Sequence, residues 1–178
     1  ARNRADWPVY PATFRGTLRP LMPLELRHAS IDDAPDLIRL MLELGYDTDD
    51  ASIRRRLGRV LAMTDHVVFV ANEQPHGLVG CIHLSVAVTL VARPFAEIAA
   101  LVVTGAHRRQ GVGRALLQRA QRWATGRGLL DLVADAQVHR KTAGDFYRAL
   151  GFRPLKEQRV FVRELDAPHP VEQPTAMD

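Results

Sequence analysis

Residues 97–113 read Glu97-Ile98-Ala99-Ala100-Leu101-Val102-Val103, then Thr104-Gly105-Ala106-His107, then Arg108-Arg109-Gln110-Gly111-Val112-Gly113. The first seven are short, β-branched and almost wholly apolar, the pattern of a strand buried on both faces. After Gly113 the apolar residues recur at Ala115, Leu116, Ala120 and Trp123, with Arg and Gln between them. That spacing predicts a helix packed by one face. The join is a turn rich in Arg and Gly. A buried strand, a glycine turn and a helix start make an anion site, because the first N–H groups of a helix have no partner inside it and its dipole adds to them. Side chains at Gly111 and Gly113 would hold a phosphate away from the backbone. No Gly-Lys-Ser/Thr follows, so the turn is not a Walker loop, and a dinucleotide fingerprint would need a third glycine and a later acidic residue.

The remaining chain supplies elements on either side. Leu24-Glu25-Leu26-Arg27 alternates and predicts a first strand. Ser30, with Asp33 three positions later and Pro35 just beyond, marks a helix start, and Gly45 is its natural stop. Asp49 or Asp50 opens a second helix through Ile53, Leu57, Val60 and Leu61. Val67–Ala71 and Leu78–Leu84 predict a hairpin, with Asn72–Gly77 as its turn. Val86–Val91 either prolongs the second of these strands or forms a loop. Past the central strand and its helix, stopped at Gly126 and Gly128, come a strand over Leu129–Val138, a helix over Thr142–Leu150 and a last strand over Arg159–Leu165. The expected order is β-α-α-β-β-β-α-β-α-β, an α/β (α+β) chain with one domain over residues 24–165. An Arg- and Pro-rich arm (1–23) precedes it and a Pro-rich tail (166–178) follows.

Bulk properties narrow the class. With 178 residues and 47% apolar content the chain can bury a sizeable core. No apolar run approaches membrane-spanning length. The one cysteine, Cys81, rules out an internal disulfide framework and a zinc ribbon, and no metal is expected. No apolar signal core follows the opening residues, so the expected location is cytoplasmic. Net charge is +4, and residues 107–127 carry many arginines with no Asp or Glu. Such a stretch is either a solvated helix face or a surface for cofactor phosphates. A nucleic-acid partner is disfavoured, because aromatics that would stack bases are not interleaved with these arginines.

Arg108, Gly111 and Gly113 fill the three slots of Gln/Arg-x-x-Gly-x-Gly/Ala, and the turn resembles the acetyl-CoA loop of the GCN5-related N-acetyltransferases. A second stretch, Ala143-Gly144-Asp145-Phe146-Tyr147-Arg148-Ala149-Leu150-Gly151-Phe152, resembles that family's Ala-x-x-Phe-Tyr-x-x-x-Gly-Phe segment. The order of elements matches the family fold over roughly residues 24–165. The resemblance implies an enzyme that moves an acetyl group from acetyl-CoA to a primary amine by direct attack in a ternary complex. It implies that backbone groups from Arg109 to Arg114, through Gln110 and Val112, hold the pyrophosphate beside Arg108. A backbone N–H near Leu101 would polarise the thioester, and Val102 and Val103 would bond the pantetheine amides. Ala143 belongs to the second cofactor-side motif. Seven residues before Tyr147, where many members have an asparagine that bonds the pantetheine arm, this chain has Arg140, which either reaches a cofactor phosphate or lies in solvent.

Three chemical needs assign the catalytic candidates. The amine must lose a proton, since an ammonium has no lone pair. Glu97, where a carboxylate at the head of a buried strand is otherwise hard to justify, is the candidate base; the plainer reading is a strand end or a structural pair. His83 is the reserve base, or a sheet-face histidine. The thioester oxygen needs donors as negative charge develops. The leaving thiolate needs a proton, and Tyr147 matches the family's general acid, against the alternative of a packed core tyrosine. Cys81, in an apolar strand with no flanking His-Asp pair, reads as an inert core thiol. Asp47, Asp49 and Asp50, between the first two helices, suit a cationic acceptor or simply cap the helix. A small cationic amine is the favoured acceptor. Alternatives are a protein lysine or N-terminus, or a chain that binds acetyl-CoA without turnover. Tails that are ordered would lie on this domain or on a second copy, which makes a homodimer an expected partnership.

Overall fold

The computed structural model describes residues 24–136 and 141–163. The arm 1–23, the tail 166–178 and Arg140 lie outside the described residues. The described residues up to 136 form one compact unit and those from 141 a second. In the first, the strands β1 (Glu25–His28), β2 (His66–Glu73), β3 (Gly77–Ala87), β4 (Phe95–Val103) and β5 (Leu132–Ala134) form one sheet in sequence order. The first three pairings are antiparallel and β4–β5 is parallel. Antiparallel neighbours need only hairpins, whereas the parallel step needs a crossover. The helix α3 (Val112–Gly126) supplies it.

The sheet has helices on both faces. α1 (Ala34–Glu43) and α2 (Asp50–Ala62) bury Leu37, Leu40, Ile53 and Leu57 against Val68, Val70, Cys81 and Val102. Leu40 is fully buried, and truncating such a leucine costs about 2–5 kcal/mol. The opposite face, which alternate strand residues line, receives α3 through Leu116, Leu117 and Ala120. α3 comes so close that a Cβ on Gly80 would stand 2.9 Å from the Val102 carbonyl and 3.2 Å from Leu116 Cδ1. Arg119 lies over the Phe69 ring at 4.9 Å on this same side.

Local chemistry sets the helix ends. The Asp33 carboxylate accepts from the Ser30 N–H at 2.8 Å and from both Arg27 nitrogens at 2.6 and 2.7 Å, which fixes the entry to α1. Asp49 caps α2 by accepting the Ser52 N–H at 2.7 Å. In the second unit, α4 (Lys141–Ala149) ends where Gly151 takes φ +88, a left-handed conformation that glycine adopts without strain. The Phe152 N–H then turns back to the Tyr147 carbonyl at 3.0 Å, closing the helix end.

Three elements differ from expectation. Val86–Val91 divides: β3 runs on to Ala87, and an exposed loop begins at Val88. Of the strand expected over Leu129–Val138, three residues form among the described ones, and 137 and 138 lie outside them. Its start is lost because the Leu129 N–H caps α3 on the Ala124 carbonyl at 3.1 Å. The last expected strand does not form over its described part, residues 159–163, which join no ladder; residues 164 and 165 lie outside. Val160, Phe161 and Val162 are apolar in sequence yet exposed, so a β-like run without a ladder partner stays coil.

Candidate active site

β4 is paired on both sides for only part of its length. β5 meets it at Ala96, Ile98 and the intervening Glu97, and among the described residues nothing pairs with that edge from Ala99 to Val103. The backbone alternation is fixed at both ends. The Ala96 N–H donates outward to the Asp131 carbonyl at 2.9 Å, and the Thr104 N–H donates inward to Val79 on β3 at 2.9 Å. Between them the register shifts opposite His83/Leu84, where Ala99 is the extra residue of a bulge. Counting back from Thr104, Val102 and Ala100 bond to β3, while Leu101 and Val103 turn their backbone groups to the open edge. The bulge therefore swaps which residues face outward just where β5 ends.

The open edge leads into the glycine turn. Gly111 stands at φ +90 as the residue before α3, with nothing within 4 Å of where its Cβ would be. Arg109 is also left-handed, at φ +59. Gln110 folds the turn by donating Nε2–H to the Ala106 carbonyl at 2.7 Å. Among the described residues the N–H groups from Arg109 to Arg114 find no acceptor. Their side chains at Arg109, Gln110 and Arg114 are exposed, while Val112 is buried under the sheet. A row of unpaired donors at a helix start is the arrangement that binds phosphate.

Arg108 is held differently from its neighbours. Its Nη2 donates to Glu43 Oε2 at 2.8 Å, and its Nε donates to the Val103 carbonyl at 3.1 Å. Glu43 also accepts the Gly105 N–H at 3.3 Å. The arginine thus fastens the turn to the end of α1. Glu43 was not legible as a site residue, since it lies 65 residues from Arg108 in sequence and only the fold joins them.

Glu97 is half-buried on the sheet face that α1 and α2 cover only in part. Its register partner is Ser85, whose partner on β2 is His66. His83, one row along on the same face, shares a hydrogen bond with His66, Nε2 to Nδ1 at 3.0 Å. Among the described residues, no group bonds or ion-pairs with the Glu97 carboxylate. Burial, and then His66, lower the pKa of His83. Burial alone pushes Cys81 up to about 12, which leaves it an inert thiol. His66 shares the two-residue alternation of Val68 and Val70, so its face was readable; its pairing with His83 was not, because that needs the register.

In the second unit Tyr147 is half-buried between Phe146 and Phe152, with ring centroids 5.3 and 5.1 Å away. Burial pushes its phenol up to about 12, so the hydroxyl stays protonated and able to donate. Ala143, also half-buried, lies one turn earlier on α4. Of the three acidic residues between α1 and α2, Asp49 is occupied as a cap and Asp50 pairs with Arg54 at 2.8 Å. Asp47 has no bonded partner among the described residues, and with Thr48 and Asp49 it lines an open depression. No group of side chains among the described residues could hold a metal ion, and no described helix is long and apolar enough to cross a membrane.

A strand with one open edge that runs into free amides at a helix start has the geometry that suits a long ligand with a phosphate-bearing end. Residues 33–152 match the model of the acetyltransferase (GNAT) family, and the chain belongs to that family. Membership brings the class with it: an acetyltransferase domain. Among curated proteins it is similar to the aminoglycoside N(6')-acetyltransferase type 1 of Klebsiella aerogenes, 33% identical over 85 residues, which is 43% of this chain and 56% of that protein. The chain thus aligns with little more than half of that relative's length. Among solved structures it resembles the aminoglycoside 6'-N-acetyltransferase of Acinetobacter haemolyticus, with a TM-score of 0.70 at 23% identity over 80% of this chain and 99% of that one. It also resembles AAC(6')-Iy in complex with the bisubstrate analogue CoA-S-monomethyl-acetylneamine, with a TM-score of 0.70 at 19% identity over 81% and 99% of the two chains.

Proposed function

We propose that this chain transfers the acetyl group of acetyl-CoA to a primary amine of a small polycationic acceptor of the aminoglycoside type. The observation that carries this reading is the open edge of β4 between Ala99 and Val103, continuous with the unpaired N–H groups of Arg109–Arg114. Pantetheine is an extended chain with two amides, and it would lie along that edge as an added strand. The outward groups of Leu101 and the outward N–H of Val103 suit this, the Val103 carbonyl being held by Arg108, whereas Val102 contributes through its place in the ladder with Cys81. The pyrophosphate would rest on the amides of the turn. Arg108 serves by shaping that turn, and Arg109 and Arg114 are free to meet phosphate charge.

In this account Glu97 takes the proton of the bound ammonium, directly or through one water, and the free amine attacks the thioester carbonyl carbon. The Leu101 N–H donates to the oxygen on which charge builds, at a position fixed before reaction, which is why such donors are effective. The C–S bond then breaks, and the departing sulfur takes up a proton, a role that the family resemblance gives to the Tyr147 hydroxyl. Two protons leave the nitrogen in all: the first goes to Glu97, and the second, released after attack, replaces the proton given to the sulfur, so an amide and a free thiol result. An aminoglycoside-like acceptor is favoured by the 33% identity to the Klebsiella relative. It is also favoured by two carboxylates without partners among the described residues, Glu97 and Asp47.

Thiol release from acetyl-CoA, followed over aminoglycosides, polyamines, amino acids and lysine peptides, tests the proposal. Turnover with aminoglycosides above the others is expected, falling about 10²-fold or more in Glu97→Gln without loss of acetyl-CoA binding. Preference for peptides would move the acceptor to proteins. Tight acetyl-CoA binding with no turnover on any amine would make the chain a sensor.

A further inference from the structure

We infer that His66 and His83 form a proton relay that drains Glu97 between turnovers; this rests on the acetyl-transfer reading and extends it to two residues outside the Glu97 and Tyr147 roles. Three observations carry it. The first is register: His66 on β2, Ser85 on β3 and Glu97 on β4 are successive Cα partners, so they stand in one row across three strands. Side chains in such a row share a face, about 5 Å apart at Cβ. His83 lies one row along on that face, opposite Ala100. The second is the bond itself, His66 Nδ1 to His83 Nε2 at 3.0 Å. The third is the setting. All four polar side chains are half-buried, and the chain just before His66, from Leu61 to Asp65, is exposed. The row leads from the reacting strand to the surface at the α2–β2 turn.

Each acetyl transfer leaves one proton on Glu97. A second ammonium cannot be deprotonated until that proton has gone, and a bound acceptor shields the carboxylate from bulk water. The Ser85 hydroxyl can accept the proton from Glu97 while donating its own toward the imidazoles, directly or through one water. An imidazole pair joined by a single N–H···N bond takes up one proton without breaking that bond. A second proton would leave both facing nitrogens protonated. The pair therefore loads with one proton and must release it to solvent before the next cycle. The lowering of the His83 pKa, by burial first and His66 second, agrees with a pair that gives its proton up readily. Atoms balance throughout: one proton enters from the amine and one leaves to water.

His66→Asn separates a relay from a structural bond. An Asn amide can keep a hydrogen bond to His83, but it does not take up a proton. The relay predicts that His66→Asn and His83→Gln each lower kcat about 10-fold, with KM for acetyl-CoA and for the amine within about twofold of wild type. It also predicts that imidazole in the buffer restores much of the kcat of His66→Ala. If His66→Asn turned over at the wild-type rate, or if imidazole failed to rescue a folded His66→Ala, the relay would be wrong while acetyl transfer stood. If the wild-type chain turned over no amine at all, the parent reading would fall first and the relay with it.

Discussion

The Arg108 guanidinium stands 2.8 Å from Glu43, so the first arginine of the glycine turn is tied to the last residue of α1. The same carboxylate accepts the Gly105 N–H, and the same arginine covers the Val103 carbonyl. The glycine turn, β4 and α1 thus share one fastening. Both side chains are partly exposed, which limits the strength of the pair. Glu43→Gln is expected to weaken acetyl-CoA binding about 3- to 10-fold, the equivalent of about 1 kcal/mol. Titration calorimetry on the variant checks this, and unchanged affinity would mean that the turn holds its shape unaided.

Gly111 combines φ +90 with empty space where a Cβ would project. Gly111→Ala should therefore cost only the backbone strain, about 1 kcal/mol of stability. Gly111→Asp adds a negative charge beside the amides that would hold pyrophosphate, and acetyl-CoA affinity should fall at least about 10-fold below that of the alanine variant. Thermal melts and calorimetry on the two variants separate strain from charge. Equal affinities would place the pyrophosphate elsewhere.

Tyr147 is protonated at every pH at which the protein would be assayed, because burial pushes it up to about 12. Tyr147→Phe keeps the ring packing against Phe146 and Phe152 and removes only the proton. We expect kcat to drop about 10- to 100-fold with acetyl-CoA affinity unchanged. A donor with so high a pKa should also leave the wild-type rate without a basic limb from Tyr147 below about pH 10. A Tyr147→Phe variant with wild-type kcat would remove it from the acid role.

Asp33, 8% exposed, is held by Arg27 first and by the Ser30 N–H, and both lower its pKa. Burial works against them and is outweighed. A carboxyl with a depressed folded pKa adds stability above its unfolded value of 3.8, and that contribution is lost as pH falls through the lower folded value. Asp33→Asn should cost about 2 kcal/mol near pH 7. Denaturant melts of the two proteins should converge below pH 3.8. A gap that stayed constant down to pH 2 would assign the loss to packing.

What was legible in the sequence follows from how local each signal is. The β4–α3 turn, the two helix starts at Ser30 and Asp49 and the stop at Gly151 depend on contacts within a few residues, and they were readable. The open edge of β4 was not, because it arises from the early end of β5 at Ala134 and from a bulge that single-strand alternation does not reveal. The last strand was misread because Val160-Phe161-Val162 has β-branched and aromatic character, and a strand needs a partner as well as a propensity. Glu97 stood out because a carboxylate interrupts an apolar run. His66 and Glu43 act only through residues far along the chain, at His83 and Arg108.

Hydrogen exchange at single amides of β4, with and without acetyl-CoA, tests the central claim most directly. Leu101 and Val103 face the open edge, and Ala100 and Val102 bond to β3. The account predicts that acetyl-CoA slows exchange at Leu101, Val103 and the amides from Arg109 to Arg114, and leaves Ala100 and Val102 unchanged. Saturating acetyl-CoA without added protection at Leu101 and Val103 would contradict it, since the cofactor would then lie away from the reacting strand.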